Sequence, residues 1–296
     1  MRAVFYINQK CLILRTVLHN SKMENKIQMS EYDIYENLTK FREPLIEKII
    51  ESLGIKPDSK GIDIGCGIGR ITKLLSNKTG LNKELIGLDY SQDMINYAKK
   101  NTKQENIIFI QGDINNLKFN PNSFDWIWSM DTIWAGPKEF GCPAVEPDQI
   151  LNQLYKILKP GGKIYLSFWS SQKILPGYPL LEARLNASKS ANAPYLNDMN
   201  PDNHILYGQK WLQKAKFKNI EVKSFVGDIV GPLSENDKTA LTTFFQMFWS
   251  NSKNEVSEED WEKYKEYCLP SSDKFILNNT DYYGFYIYTL FQGIKK

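Results

Sequence analysis

The 296-residue chain has little of what marks several protein classes. Histidine is almost absent, with only His19 and His204. The four cysteines, Cys11, Cys66, Cys142 and Cys268, stand far apart and form no Cys-x-x-Cys pair. No zinc-ligand spacing results, and a reducing, cytoplasmic setting fits such cysteine usage best. No run approaches 18 apolar residues, so no transmembrane helix is expected and no membrane partner is read from the sequence. A basic excess is missing too. The 37 Lys and Arg against 34 Asp and Glu leave a net +3, too little for a nucleic-acid footprint.

What is present is a globular composition, 42% hydrophobic and 24% charged. At roughly 150 residues per domain, this length suggests two domains or one with large insertions. Aromatic residues reach 13%, with seven Trp and 16 Tyr. Residues 1–29 stand apart as a leader that reads as poorly ordered. Met1 to Met23 holds no acid but carries Arg2, Lys10, Arg15 and Lys22. Its apolar stretches are too interrupted for a signal peptide, and Met23 is a candidate working start.

From Ser30 the pattern becomes regular. Leu38, Phe41, Leu45, Ile49 and Leu53 recur at helical spacing over 30–52, with Pro44 expected to split that helix. Strands and helices then alternate. Strands are predicted over 60–64, 84–89, 106–111, 124–130 and 163–169, with helices over 70–77, 91–100 and 148–158. Such alternation argues a parallel sheet covered on both faces. Residues 170–204 are rich in loop signals. A helix over 209–216, a strand over 219–226, two Ser-capped helices over 234–250 and 257–268 and a last strand over 282–291 complete the chain.

The chemistry centres on Gly61-Ile-Asp63-Ile-Gly65-Cys66-Gly67-Ile-Gly69-Arg70, between a strand and a helix. Glycines there let the backbone turn tightly and approach a ligand. Arg70 occupies the last position of a dinucleotide-type Gly-x-Gly-x-x-Gly, and the Gly-Lys-Ser/Thr of a phosphate loop is absent. An acid just before the glycines suits a ligand with a positively charged end, such as an ammonium.

This Asp-x-Gly-x-Gly-x-Gly pattern resembles the first motif of class I S-adenosylmethionine-dependent methyltransferases, within the group holding ubiquinone/menaquinone-type and many small-molecule enzymes. Further elements agree in order: Asp89 ending the second strand, Gly112-Asp113 ending the third, Asn122-Ser123-Phe124-Asp125 before the fourth, and Leu158-Lys159-Pro160-Gly161-Gly162 before the fifth.

The resemblance implies a Rossmann-like, doubly wound seven-stranded sheet, last strand antiparallel, over residues 30–296. Insertions 170–208 and 232–280 are expected to form a helical cap. The implied cofactor is S-adenosylmethionine, with S-adenosylhomocysteine as product. It implies cofactor contacts at Asp63, Gly65, Cys66, Gly67, Gly69, Asp89, Tyr90, Met94, Gly112, Asp113, Ile114 and Met130. Asp89 would take the ribose hydroxyls, Asp113 the adenine amino group and Met94 the adenine face.

The acceptor should sit beyond the fourth strand. The Asn/Asp-Pro-Pro-aromatic motif of exocyclic-amine DNA enzymes is absent, and Cys142-Pro143 is reversed relative to the cytosine-C5 nucleophile. Asp131 is the first candidate base or acceptor-orienting group and His204 the second. Aromatics in the insertions and at strand ends suggest a ring-lined acceptor pocket of Tyr35, Trp134, Trp169, Tyr178 and Trp249. The expected partner is a small molecule. Alternatives are a cofactor-binding module without transfer, or a macromolecular acceptor.

Overall fold

A computed structural model describes residues 30–79, 83–136, 142–192, 195 and 199–296. The leader expected over 1–29 lies outside the described residues. Helix α1 (Glu31–Ser52) opens on a capping box: the Ser30 hydroxyl accepts from the Asp33 N–H while the Asp33 carboxylate accepts from the Ser30 N–H. Pro44 does not split this helix. Buried Leu38, Phe41, Leu45, Ile46 and Ile49 pack on both sides of it, and that packing holds the helix continuous across the missing N–H.

The sheet is built from β1 (Gly61–Ile64), β2 (Leu85–Asp89), β3 (Ile107–Gln111), β4 (Phe124–Met130), β5 (Leu158–Lys173), β6 (Lys218–Val230) and β7 (Tyr283–Ile294). Their spatial order is β3-β2-β1-β4-β5-β7-β6. Strands β1 to β5 run parallel, and β7 is inserted antiparallel to both β5 and β6. The strand order reverses at β1/β4, the switch point where an open α/β sheet leaves a crevice.

Helices α2 (Arg70–Thr79), α3 (Gln92–Asn101), α4 (Asp148–Ile157), α5 (Pro179–Asn186), α6 (Lys189–Asn192), α7 (Gly208–Lys214), α8 (Glu235–Trp249) and α9 (Glu258–Cys268) cover the sheet. Helix α5 falls inside the stretch that reads as loop from sequence. One core holds α1, α8, α9 and α5 against Trp126, Trp128, Tyr165 and Tyr288. The opposite core packs α4 and α7 on Ile62, Ile127, Ile164 and Phe168. At the far edge of the fold, the buried Lys295 ammonium donates to Tyr155 O at 2.8 Å, Leu158 O at 2.6 Å and Asn122 Oδ1 at 2.9 Å. It thereby satisfies carbonyls that the C-terminus of α4 leaves free.

Candidate active site

The β1–α2 loop is shaped by positive φ at Gly65, Gly67 and Gly69. Its first amides are spoken for. Gly65 and Cys66 N–H both donate to Leu88 O, at 2.7 and 3.0 Å, and Gly67 N–H donates to Asp89 Oδ2 at 2.9 Å. The loop is therefore tied to the end of β2 and does not form a nest of free donors. Added at Gly67, a Cβ would meet nothing within 4 Å, because that α-carbon faces open cavity; at Gly69 it would lie 2.6 Å from the Phe109 ring.

A cavity of about 1010 Å³ opens beside the loop. Its floor includes Gly65, Cys66, Gly67, Asp89, Met94 and Ile114. Tyr90, Gly112, Asp113 and Met130 also line it. Asp89 is half-buried. Burial raises its pKa, against the N–H groups of Ser91, Gly67 and Tyr90, which hold it down. The Asp113 carboxylate accepts from the Asn115 backbone N–H at 2.8 Å and from its side-chain amide at 3.0 Å.

Two of the expected cofactor residues lie off this wall. Asp63 is buried under the loop, where its Oδ2 accepts from the Thr72 hydroxyl at 2.6 Å. Burial lifts its pKa to about 7, with the Thr72 hydrogen bond opposing and the nearby Asp89 charge adding to the rise. Gly69 serves packing: its bare α-carbon admits Phe109 and Ala98.

The far wall belongs to α1 and α8. Tyr35, Leu38, Thr39 and Arg42, at helical spacing on α1, line the cavity beside Phe244 and Met247 of α8. Arg70 fixes α1 over the glycine loop, with Nε 2.7 Å from Glu43 Oε2 and Nη1 2.9 Å from Glu36 Oε2. Beyond β4, Asp131 also lines the cavity, with its φ at +48°. Its Oδ2 accepts from Arg42 Nη1 at 3.2 Å and Tyr288 OH at 2.6 Å, and its Oδ1 accepts from Trp169 N–H at 2.9 Å. Arg42 Nη1 also donates to Tyr288 OH at 2.8 Å, closing a triangle.

Of the ring-lined pocket expected from sequence, only Tyr35 reaches the cavity. Trp169 is buried beneath, stacked 4.7 Å from Tyr286 and packed on Phe244. Trp249 is fully buried, and its indole donates to Asn186 Oδ1 at 2.9 Å. Tyr178 stacks on Tyr267 at 4.0 Å. Trp134 packs on Phe168 and Tyr195, with its indole donating to Asp131 O. These rings lie on the core side of their elements, where large apolar area is best buried. His204 also lies off the cavity wall. It caps a short 3₁₀ turn, accepting from Leu206 N–H through Nδ1, and burial lowers its pKa. No described residue of 170–208 lines the cavity; 232–280 contributes through Phe244 and Met247.

Sequence reasoning missed Arg42 and Tyr288. The available signal was a cation on an otherwise apolar helix stripe, at the i+4 and i+7 positions from Leu38 and Tyr35.

Known proteins share this sequence pattern and this fold. A family profile described as "Methyltransferase domain" matches residues 55–229. A demethylmenaquinone methyltransferase of Staphylococcus carnosus is 31% identical over 219 residues, covering 68% of this chain and 86% of that protein. One from Staphylococcus haemolyticus is 28% identical over the same shares. The solved YcgJ protein of Bacillus subtilis has the same fold, with a TM-score of 0.50 at 17% identity over 86% of this chain and 99% of that one. The chain belongs to the methyltransferase-domain family and is a class I S-adenosylmethionine-dependent methyltransferase. S-adenosylmethionine is its cofactor. The bare face of Gly67 leaves room for such a ligand beside Asp89, so the residues present fit it. Among the described residues, no helix is long and apolar enough to cross a membrane.

Proposed function

We propose that the enzyme transfers the methyl group to a small acceptor with an apolar, ring-bearing body. The observation that carries this is the wall of Leu38, Phe244 and Met247, which shares one cavity with the glycine loop. Such a wall, with few polar groups placed among apolar ones, suits a small organic ligand. The demethylmenaquinone methyltransferases among the relatives are named for a small acceptor and support the same reading.

The cofactor supplies an electrophilic methyl on a sulfonium. In the proposed arrangement, Asp89 accepts hydrogen bonds from the ribose hydroxyls through lone pairs that Gly67 and Ser91 leave unused. Asp113 faces the adenine amino group. Met94 and Ile114 flank the base, and Gly65 to Gly67 back the amino-acid end. Helices α1 and α8 form the cap, while 170–208 buttresses α8 and α9 from outside. Aligning acceptor, methyl carbon and sulfur supplies most of the rate effect in such a displacement.

The test is methyl transfer from radiolabelled S-adenosylmethionine to separate panels of small phenols and quinols, small amines, and bulk RNA and protein. Label in a ring-bearing small molecule is the expected result. Label only in a macromolecule would overturn the reading.

A further inference from the structure

We propose that Arg42 is the residue that receives the acceptor, and that it takes an acceptor carrying an oxyanion. This rests on the small, ring-bearing acceptor proposed above. Asp131 and Tyr288 are then positioning residues that hold the guanidinium from behind, and Asp131 is not the base.

Four observations carry this. First, three of the roughly four acceptor sites of Asp131 are taken: Oδ2 accepts from Arg42 and Tyr288, and Oδ1 accepts from the Trp169 amide. A carboxylate so committed is badly placed to collect a proton from a ligand. Second, Arg42 is only partly used. Nε donates to Leu38 O at 2.9 Å and Nη1 to Asp131 and Tyr288. Guanidinium has five N–H donors and no acceptor. Nη2 finds no hydrogen-bond partner among the described residues, on a side chain that lines the cavity. Whatever meets it must offer lone pairs, and a negative oxygen gives the strongest such bond.

Third, the other cation on the cavity wall among the described residues, Arg70, is already taken by Glu36 and Glu43. Fourth, Asp131 sits at φ +48°. A non-glycine residue in that conformation is costly and persists where surroundings enforce it, as they do at functional sites. Here the enforced turn brings Asp131 under Arg42. It also lies next to Thr132, whose side chain occupies the space over Gly65 in the loop.

The triangle also keeps its protons in place. Burial pushes the Tyr288 hydroxyl well up, so it remains a donor to Asp131. Burial alone would lower Arg42, but Tyr288 and Asp131 outweigh it and the net shift is upward. The acceptor loses its proton to water on binding as the anion, so no side chain need act as base. Its electron pair forms the bond to the transferred carbon as the carbon–sulfur bond breaks onto sulfur. The negative charge of the acceptor and the positive charge of the sulfonium cancel.

The experiment uses the full chain saturated with S-adenosylhomocysteine. 4-Nitrophenol is the probe and nitrobenzene its neutral match. Absorbance reports the ionisation of the bound phenol, and tryptophan quenching reports the binding of both. The expected result is a bound phenol whose apparent pKa falls by at least one unit, a tenfold preference for the anion. In the R42Q/D131N double variant, which leaves no buried charge unpaired, that preference should vanish while S-adenosylhomocysteine still binds as to the wild type. Y288F should keep part of it, which serves if the double variant does not fold.

A bound phenol that titrates as it does in water overturns the proposal and leaves the ring-acceptor reading standing. A double variant that keeps the full shift also overturns it, as does Y288F keeping the full shift when only that variant folds. Failure of both probes to bind overturns the ring-acceptor reading and this proposal together.

Discussion

Gly67 N–H donates to Asp89 Oδ2 at 2.9 Å, joining the glycine loop to the end of the neighbouring strand. The carboxylate that lines the cavity and the loop that borders it are thus one unit. Replacing Asp89 by Ala should loosen the loop as well as remove an acceptor. We expect S-adenosylhomocysteine affinity to fall by at least tenfold, with a smaller loss of thermal stability. Calorimetry alongside a melting curve measures both.

Two glycines of the same loop should behave oppositely. Gly67→Ala places a methyl in open cavity, and its positive φ costs about 1–2 kcal/mol of stability. Cofactor affinity should drop sharply. Gly69→Ala drives a methyl against Phe109 and Ala98. Its loss should be seen mainly in the denaturant midpoint, because this residue lies off the cavity.

Asp63 sets a pH dependence on folding. Its pKa is about 7 in the folded chain, against about 4 for an ordinary carboxylate. Between those values the folded chain holds a proton that the unfolded chain has released. Stability from this group is therefore present below the window, falls as pH rises through it, and levels off above. Asp63→Asn should flatten that slope in urea denaturation at pH 5, 6, 7 and 8. An unchanged slope would contradict the assignment.

Trp249→Ala should cost about 3–5 kcal/mol, as large aromatic truncations in a core do. Trp169→Ala should act in the same sense. In both variants the cofactor and acceptor functions should decline together with the melting temperature. Selective loss of acceptor use would place these rings at the cavity after all.

Lys295→Met should destabilise the fold by about 1.5–3 kcal/mol, by taking a charged donor from buried acceptors. Cofactor affinity, measured below the melting transition, should stay as in the wild type.

Much of the cofactor half was legible in the sequence because its signals are local. Strand β4 is found where its apolar run lies, and β1 and β2 begin one residue later than read. The Ser234 and Ser257 caps form as their Ser-x-x-Asp spacing indicates. The wall of α1 and α8 was not legible, because it is assembled from distant pieces. Arg42 and Tyr288 are 246 positions apart; the apolar stripe of α1 marks Arg42, and nothing local marks Tyr288. Counting aromatics led toward Trp134, Trp169 and Trp249, because composition does not say which side of a helix or strand faces a void. Asp63, a carboxylate before glycines, reads as a ligand group, whereas the fold buries it against the Thr72 hydroxyl.

The insertion of β7 between β5 and β6 bears on how the protein is made. Strand β6 leaves the ribosome before β7, its neighbour in the sheet among the described residues, exists. It carries exposed Val222, Val226 and Val230, and until β7 follows it has no strand to pair with. The parallel strands can assemble while translation continues, but the other edge of the sheet must wait. A nascent chain stalled after β6 would therefore be the form most prone to aggregate and most in need of a chaperone.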